Sequence, residues 1–193
     1  MGGLWGWGVN IQTGIEIFHG DCEEVIQRNH IQADVIITDP PYDIQLPKTL
    51  SIWCSGNIVV FCKPENQFNT IFPTEYLFWV KTPSTKNYSK SCGRFVEMIL
   101  VHRRAAFNPL HWSQMTGVYD DRLITLPVHP YEKPLALIER LVRIYSNPGD
   151  VILDPYMGSG TTGLACSNLG RRFIGVEKEQ EYFDIAKSKL ELL

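Results

Sequence analysis

The sequence predicts an α/β fold in which a mostly parallel sheet of seven strands carries helices on both faces. The first observation is a set of short segments rich in β-branched and aromatic residues, which is typical of strands. They span residues 14–18, 34–38, 57–62, 76–81, 95–101, 150–153 and 173–176. The second is the helical spacing of apolar residues after positions 134 and 179. The third is that polar turn motifs directly follow several of these strands, where α/β sheets bind ligands.

The composition indicates one domain, residues 1–193, without a strong overall attraction to nucleic acid. The formal net charge is −3 and the pI is about 5.9, so any nucleic-acid contact must come from local basic loops. No apolar run approaches the roughly 20 residues of a membrane span, and the first residues lack the pattern of a signal peptide. The cysteines form no Cys-x-x-Cys pair. We therefore expect a cytoplasmic protein with reduced thiols, no metal site and no membrane contact.

The first predicted strand, residues 14–18, leads into a polar turn that contains Asp21 and Cys22. Asp21 and Glu24 have the spacing of a capping box, which predicts a short helix that continues to Arg28. Capping is an ordinary structural role for an aspartate. A ligand-binding role is compatible with it, because a cap residue at this point already lies at the carboxyl edge of the sheet.

The second predicted strand, residues 34–38, ends at Asp39-Pro40-Pro41-Tyr42. The prolines stiffen the turn, so that the Asp39 carboxylate and the Pro40 carbonyl can stand side by side as two hydrogen-bond acceptors. Tyr42 offers a flat face on which a base can stack. Two placed acceptors beside a ring suit the exocyclic amine of a nucleobase, because holding both hydrogens directs the nitrogen lone pair at an electrophile. The structural alternative is a proline turn that simply closes a strand.

A helix is predicted to follow Lys133-Pro134 and to end before Asn147-Pro148-Gly149. Its apolar positions recur at helical spacing; they are Leu135, Ile138, Leu141, Val142 and Tyr145. Lys133 lies where the helix dipole disfavours a cation, which favours a functional role over that of an ordinary surface charge.

The strand at 150–153 is followed by a glycine-rich loop, Asp154 to Gly163, that contains the pattern Gly-x-Gly-x-x-Gly. This pattern lets a backbone approach a cofactor closely, and dinucleotide-binding enzymes also use it. Glu177 ends the next strand and is placed to bond ribose hydroxyls. Asp154 would repel a pyrophosphate but suits the ammonium group of a methionine. The last helix, residues 179–192, is predicted to bury Tyr182, Phe183, Ile185, Ala186 and Leu190.

Taken together, these motifs resemble the S-adenosylmethionine-dependent amino-methyltransferases of DNA. Asp-Pro-Pro-Tyr resembles the family's catalytic motif, in the form more typical of adenine-N6 enzymes, and Asp-Pro-Tyr-Met-Gly-Ser-Gly-Thr-Thr resembles its cofactor loop. His-Pro-x-x-Lys-Pro, residues 129–134, resembles the motif that precedes the cofactor half. The catalytic turn precedes the cofactor loop by more than a hundred residues, as in a circularly permuted class of these enzymes. The resemblance implies a Rossmann-like methyltransferase fold with an antiparallel hairpin, 76–81 with 95–101, at the sheet edge.

The resemblance also implies the site. The catalytic residues are Asp39, Pro40, Pro41 and Tyr42. The residues expected to bind S-adenosylmethionine are Asp21, Cys22, Lys133, Asp154, Tyr156, Gly158, Ser159, Gly160, Thr161, Thr162 and Glu177. The implied activity is direct methyl transfer to the N6 amino group of a flipped or unpaired adenine in DNA.

Two loops, residues 82–94 and 102–127, are the candidates for contact with nucleic acid, in place of a large target-recognition domain. They interleave basic and aromatic residues, which suits phosphate contacts and stacking beside an extruded base. The candidates are Lys86, Tyr88, Lys90, Arg94, Arg103, Arg104, His111, Trp112 and Arg122. The alternative is that these charges serve only solubility. Loops of this size predict limited sequence choice, or recognition supplied by a homodimer or a partner subunit.

Three other functions stay open from the sequence. The acceptor base could be cytosine, at N4, and the nucleic acid could be RNA, because the motifs do not decide either point. The chain could also be a non-catalytic, nucleic-acid-binding subunit of a methyltransferase complex. The intact Asp39, Tyr42, Asp154 and loop glycines argue against that last possibility.

Overall fold

The computed structural model describes residues 8–62, 73–80, 96–104, 118–120 and 133–193, the segment 118–120 by its backbone alone. Within these ranges one sheet contains the strands β1 (Gly8–Gln12), β2 (Ile15–His19), β3 (Val35–Thr38), β4 (Ile58–Cys62), β5 (Glu75–Val80), β6 (Val96–His102), β7 (Val118–Asp120), β8 (Val151–Asp154) and β9 (Arg172–Glu177). The helices are α1 (Cys22–Arg28), α2 (Leu135–Tyr145), α3 (Thr161–Asn168) and α4 (Gln180–Leu190), with a short 3-10 helix at Leu50–Ile52. Of the helices in these ranges, none is long and apolar enough to cross a membrane.

The strands lie in the order β1-β2-β9-β8-β3-β4-β6-β5-β7. The five strands from β2 to β4 in this order are parallel. Their side chains alternate between two cores, as the pleat requires. In β3, Ile37 joins the core formed with α2, α3 and α4, whereas Ile36 joins the core formed with α1 and Leu50. The predicted α/β class, with helices on both faces of the sheet, is confirmed.

The predicted hairpin forms between β5 and β6, which pair antiparallel with Trp79 opposite Glu97. Its predicted position at the sheet edge is wrong, because β7 pairs in parallel with the outer side of β5. β7 falls inside the stretch 102–127 that was predicted to be irregular. A strand of three residues is too short to show a hydrophobic period, so only its pairing with β5 reveals it.

The sheet also has more strands than the seven predicted, because β1 adds an antiparallel strand beside β2. Val9 and Ile11 on β1 pack against the core, which fixes this strand. On α4, Phe183, Ala186 and Leu190 are buried as predicted, whereas Tyr182 and Ile185 are 37% and 42% exposed. The buried stripe of α4 is therefore narrower than the sequence suggested.

The connections place a topological switch point between β8 and β3. From β8 the chain proceeds through α3 to β9 on one side, and from β3 it proceeds to β4 on the other. Loops that leave adjacent parallel strands in opposite directions leave a crevice at the carboxyl ends of those strands, where open α/β sheets bind ligands. The Asp39 turn and the glycine loop follow these two strands, so both motifs meet at this crevice.

Candidate active site

The Asp39 turn forms one side of the crevice. Pro40 is buried, Pro41 is exposed and its carbonyl accepts a hydrogen bond from the Ile44 amide, 3.3 Å away. The Oδ2 atom of Asp39 lies 2.6 Å from the Lys133 ammonium. The Oδ1 atom of Asp39 is buried and has no hydrogen-bond partner among the described residues. One oxygen of this carboxylate is thus held by a cation, and the other is open as an acceptor.

Lys133 is the cation at the centre of this side of the site. Its Nζ atom lies 3.1 Å from Oε2 of Glu97 and donates a hydrogen bond of 3.3 Å to the Tyr42 hydroxyl. The same atom lies 5.1–5.9 Å from the ring centroids of Phe61, Tyr42 and Trp79. Distances of this size allow cation–π attraction. Only 11% of the lysine side chain is exposed, so it is fixed between two acids and three rings.

Burial raises the pKa of the Asp39 carboxyl, and the charge of Glu97 raises it further. The charge of Lys133 and its hydrogen bond lower the same pKa. Burial, followed by the charges of Asp39 and Glu97, raises the pKa of Tyr42, so that the phenol stays protonated near neutral pH. The pKa of Asp39 therefore depends first on burial, and then on the opposing charges of Lys133 and Glu97.

Asp154 is the last residue of β8, the strand next to β3. Its Oδ1 accepts hydrogen bonds from the Thr38 hydroxyl at 2.7 Å and from the Tyr156 amide at 3.2 Å. Its Oδ2 accepts a bond of 2.8 Å from the Thr162 hydroxyl. Asp154 is only 3% exposed, and burial raises its pKa to about 7. These contacts give Asp154 a structural role, while its contact with a methionine ammonium stays a prediction.

Two glycines of the loop pack closely against neighbouring elements. Gly160 has a φ of +82° and caps α3, and a Cβ there would lie 3.1 Å from the Ala186 side chain. A Cβ on Gly163 would lie 2.9 Å from the Phe173 ring, so this glycine lets α3 approach β9. Gly158 has a φ of +52°, and nothing lies within 4 Å of the position a Cβ would take. The loop is thus closed on its helix side and open at Gly158.

Other residues predicted to bind the cofactor meet beside this loop. Glu177 accepts hydrogen bonds of 2.9 Å from the amides of Gly158 and Glu179. Asp21 caps α1 by accepting a hydrogen bond of 3.0 Å from the Glu23 amide. The predicted capping box has Glu24, not Glu23, as the partner of Asp21. The Tyr156 side chain is hydrogen-bonded to Cys22, which lowers a thiol pKa that burial, the larger effect, raises. The ends of β2, β8 and β9 thus carry these residues side by side.

The remaining predicted cofactor residues lie at the start of α3, with one exception. The Ser159 hydroxyl accepts a hydrogen bond of 3.3 Å from Lys189, and Thr161 is buried as the first residue of the helix. The exception is Lys133, whose contacts are with Asp39, Glu97 and Tyr42. The structure places this lysine against the Asp39 turn, and its role toward the cofactor stays a prediction.

Arg103 and Arg104 are not brought to the catalytic turn. From Glu97, beside Lys133, to His102, strand β6 rises by roughly 16 Å, so the two arginines lie at the opposite edge of the sheet. Arg103 pairs with Glu75 at 3.0 Å. The Arg104 guanidinium donates to the carbonyls of Ser51 and Cys54 at 2.8 and 3.0 Å. These contacts hold the protein together and do not present the side chains to a base at Asp39.

The other predicted nucleic-acid contacts, at Lys86, Tyr88, Lys90, Arg94, His111, Trp112 and Arg122, lie outside the described residues. The strand ends next to the first loop, Val80 and Val96, pair with each other at the same sheet edge as Asp39. Asp120, which pairs with Val80, also lies at this edge. The described flanks are therefore compatible with the predicted role of residues 82–94 and of Arg122.

Sequence reasoning missed Glu97 and Thr38. Strand β6, Val96–His102, is apolar except for Glu97 and the terminal histidine. A glutamate within an apolar strand was the sequence feature that could have indicated a functional residue. Thr38 is the last residue of β3, and its sequence context indicates only a strand position. Its bond to Asp154 depends on the neighbouring position of two strands that are 116 residues apart in the chain. Within the described residues, no group of acids, cysteines and histidines could hold a metal ion.

A glycine loop at a topological switch point, beside a turn with an open acceptor, defines a Rossmann-like protein with a nucleotide-type ligand site next to an acidic turn. A family model described as DNA methylase matches residues 102–188. The crystal structure of M1.HpyAVI is 33% identical to this chain, with a TM-score of 0.76, and the match covers 93% of this chain and 100% of that one. A crystal structure of the M1.HpyAVI-SAM complex matches with a TM-score of 0.71. The chain belongs to the DNA methylase family.

Curated relatives match over shorter stretches. Type II methyltransferase M2.DpnII of Streptococcus pneumoniae is 52% identical over 63 residues, which is 33% of this chain and 24% of that protein. Type II methyltransferase M2.LlaDCHI of Lactococcus lactis subsp. cremoris is 48% identical over 62 residues, 32% of this chain and 23% of that protein. The match thus spans about a quarter of these relatives. The PvuII DNA methyltransferase (cytosine-N4-specific), 16% identical with a TM-score of 0.69 over 93% of this chain and 86% of that one, shares the fold.

Proposed function

We propose that this chain transfers a methyl group from S-adenosylmethionine to the N6 amino group of adenine in DNA. The observation that carries the proposal is the open Oδ1 atom of Asp39, a buried acceptor beside Pro40 at the switch point. An exocyclic amine has two hydrogens, and Oδ1 and the Pro40 carbonyl are two acceptors for them. The aspartate at the first position of the motif favours adenine over cytosine.

The residues of the cofactor half fit S-adenosylmethionine. Gly158 leaves open space where a side chain would otherwise stand, and Glu177 retains lone pairs for ribose hydroxyls after accepting two amide bonds. M1.HpyAVI, a relative over its whole length, is known as a complex with SAM. When bound, S-adenosylmethionine supplies an electrophilic methyl group on a sulfonium centre. Glu177, Asp21 and the loop from Gly158 to Thr162 would hold it.

The chain's own residues then position the amine. Tyr42 stacks against the base. Asp39 Oδ1 and the Pro40 carbonyl accept hydrogen bonds from the two N–H groups of the amine and so direct its nitrogen lone pair along the crevice. Such placed acceptors stabilise the positive charge that grows on the nitrogen. The amine proton is released at Asp39 Oδ1 after the new N–C bond has formed. Recognition of a particular sequence would come from the loop 82–94, from Arg122, or from a homodimer or partner subunit.

The test is transfer of a labelled methyl group by the purified chain to single- and double-stranded DNA and RNA. Digestion to nucleosides then identifies the methylated base, and Asp39→Ala is the matched inactive variant. We expect N6-methyladenine in DNA. Label on cytosine N4 or on RNA would overturn the proposed target. Absence of transfer by the wild-type chain, with S-adenosylmethionine bound, would favour a non-catalytic subunit.

A further inference from the structure

Two charged residues around Asp39 have no part in the function proposed so far. Lys133 precedes α2, and Glu97 lies on β6, so three separate elements bring them together with the turn after β3. We refer to Asp39, Glu97 and Lys133 as the lysine cluster. With two acids and one cation, the ionised cluster carries one net negative charge. It is largely buried, since only 11% of the Lys133 side chain and 12% of the Glu97 side chain are exposed.

The geometry of the cluster fixes the orientation of the Asp39 carboxylate. Three oxygens lie within 3.3 Å of the Lys133 ammonium: Asp39 Oδ2, Glu97 Oε2 and the Tyr42 hydroxyl. Because Oδ2 is held at 2.6 Å, the carboxylate cannot rotate freely, and Oδ1 is the oxygen left open. The ring centroids of Phe61 and Trp79 lie 5.1 and 5.9 Å from the same ammonium.

Glu97 adds a second negative charge, which an Asp39–Lys133 pair alone would lack. A neutral acid–base pair offers little net field to a nitrogen that becomes positive. As the amine nitrogen forms its bond to the methyl carbon, the electron pair of the broken S–C bond remains on sulfur, and the nitrogen carries a positive charge until it loses its proton to Asp39 Oδ1. A second carboxylate leaves the cluster negative and stabilises that charge.

We infer that Glu97 and Lys133 are positioning residues for methyl transfer. Lys133 holds Oδ2 so that Oδ1 faces the amine, and Glu97 holds Lys133 and keeps the cluster negative. This inference rests on the proposed function, because it assigns roles at the same site.

The two residues act on Asp39 in opposite directions, which gives a specific readout. The groups that face Asp39 are Lys133, Glu97, Tyr42 of its own turn, Cys62 of β4 and Asp154 of β8. Among these, Lys133 lowers the pKa of Asp39 and Glu97 raises it. Removing the lysine charge should shift the acidic limb of the kcat profile to higher pH. Removing the glutamate charge should shift it to lower pH.

The experiment measures kcat and KM against pH for the wild-type chain and for Glu97→Gln, Lys133→Met and Lys133→Arg. The control is Glu16→Gln, the same change at an exposed glutamate of β2. At pH 7.5 we expect kcat to fall at least about tenfold in Lys133→Met and about threefold in Glu97→Gln. Lys133→Arg should recover most of the activity. In Glu97→Gln the Kd for S-adenosylmethionine, from calorimetry, should change less than about twofold.

Opposite shifts of the acidic limb, with the control unchanged, support the inference. Shifts in the same direction, no shift, or wild-type kcat in Glu97→Gln overturn it, because a merely structural role would lower kcat without moving the two limbs apart. If Lys133→Met does not fold, the downward shift in Glu97→Gln still decides the matter. Failure of the proposed function is distinct, since the wild-type chain itself would then transfer no methyl group.

Discussion

Asp39 and Asp154 are carboxylates at the ends of adjacent parallel strands, and their surroundings differ in kind. Asp154 bonds to two threonine hydroxyls and one amide, so both of its oxygens are satisfied. Asp39 is held through one oxygen by an ammonium and leaves the other without a partner among the described residues. Burial raises the pKa of both groups. The comparison distinguishes an acid whose two oxygens are both bonded within the protein from one that keeps an open acceptor.

The difference follows from what each partner can supply. Hydroxyl and amide donors satisfy lone pairs without balancing the charge, so the pKa of Asp154 remains high, at about 7. At Asp39 burial is also the largest effect and raises the pKa, and the charge of the Lys133 ammonium opposes that rise. The two acids thus differ in the donors that hold them: a cation at Asp39, and neutral hydroxyl and amide groups at Asp154.

The largest expected effect is the difference between replacing Asp39 and replacing Asp154 with alanine. Asp39→Ala should lower kcat at least about a hundredfold and leave stability and S-adenosylmethionine affinity nearly unchanged. Asp154→Ala should lower the free energy of unfolding by about 3 kcal/mol, because two buried hydroxyls lose their acceptor. Thermal unfolding, calorimetry and turnover measured on both variants provide the check. Equal losses of stability in the two variants would abolish the distinction.

A smaller effect concerns pH. The folded-state pKa of Asp154 is about 7 against 3.8 for an unperturbed carboxyl, so the folded state binds more protons between these values. Stability should therefore decrease as pH rises from about 4 to 7 and level off above pH 7. The decrease should be on the order of 2–4 kcal/mol.

Asp154→Asn should remove most of this pH dependence, because an amide does not titrate. A smaller pH dependence of the same sign should remain, because the pKa of Asp39 is also raised. Urea unfolding at pH 5, 6, 7 and 8 measures it for both proteins. The exposed change Glu16→Gln serves as the control. A slope that persists at full size in Asp154→Asn would assign the pH dependence elsewhere.

The smallest effect examines the link between the two acids. Thr38 and Thr162 donate to opposite oxygens of Asp154, and Thr38 directly precedes Asp39. Each change to valine removes one bond and should cost about 1–2 kcal/mol of stability. Thr38→Val should mainly lower kcat, and Thr162→Val should mainly raise the Kd for S-adenosylmethionine, each by about threefold. Kinetics and calorimetry on the pair would show whether the effects separate or coincide.

The sequence predicted the fold well where periodic patterns are long. The apolar spacing after Pro134 predicted the buried face of α2, where Ile138, Leu141, Val142 and Tyr145 are buried as expected. It failed at the edges of the sheet, since β1 and β7 are defined by backbone pairing with a neighbour. It also over-assigned Tyr182 and Ile185 to the core, because the width of a buried helix stripe depends on the partner surface.

Sequence also assigned the basic residues of the second loop as one group. Arg103 and Arg104 follow β6, which runs antiparallel to β4 and carries them away from Asp39. The sequence around a charged residue does not show in which direction its strand runs through the sheet. Only strand direction decides which edge of the sheet it reaches.

By itself, the sequence determined the family resemblance, the acceptor turn at Asp39 and the glycine loop, because these depend on local backbone stiffness and on residue type. The tertiary structure decided the surroundings of the two acids. It paired Lys133 with both Asp39 and Glu97, and it placed the hydroxyls of Thr38 and Thr162 in hydrogen bonds with Asp154. The pKa of each carboxyl group, and whether it keeps an open acceptor oxygen, depend on burial and on neighbours from distant parts of the chain. Those neighbours come together only when the strands assemble into the sheet.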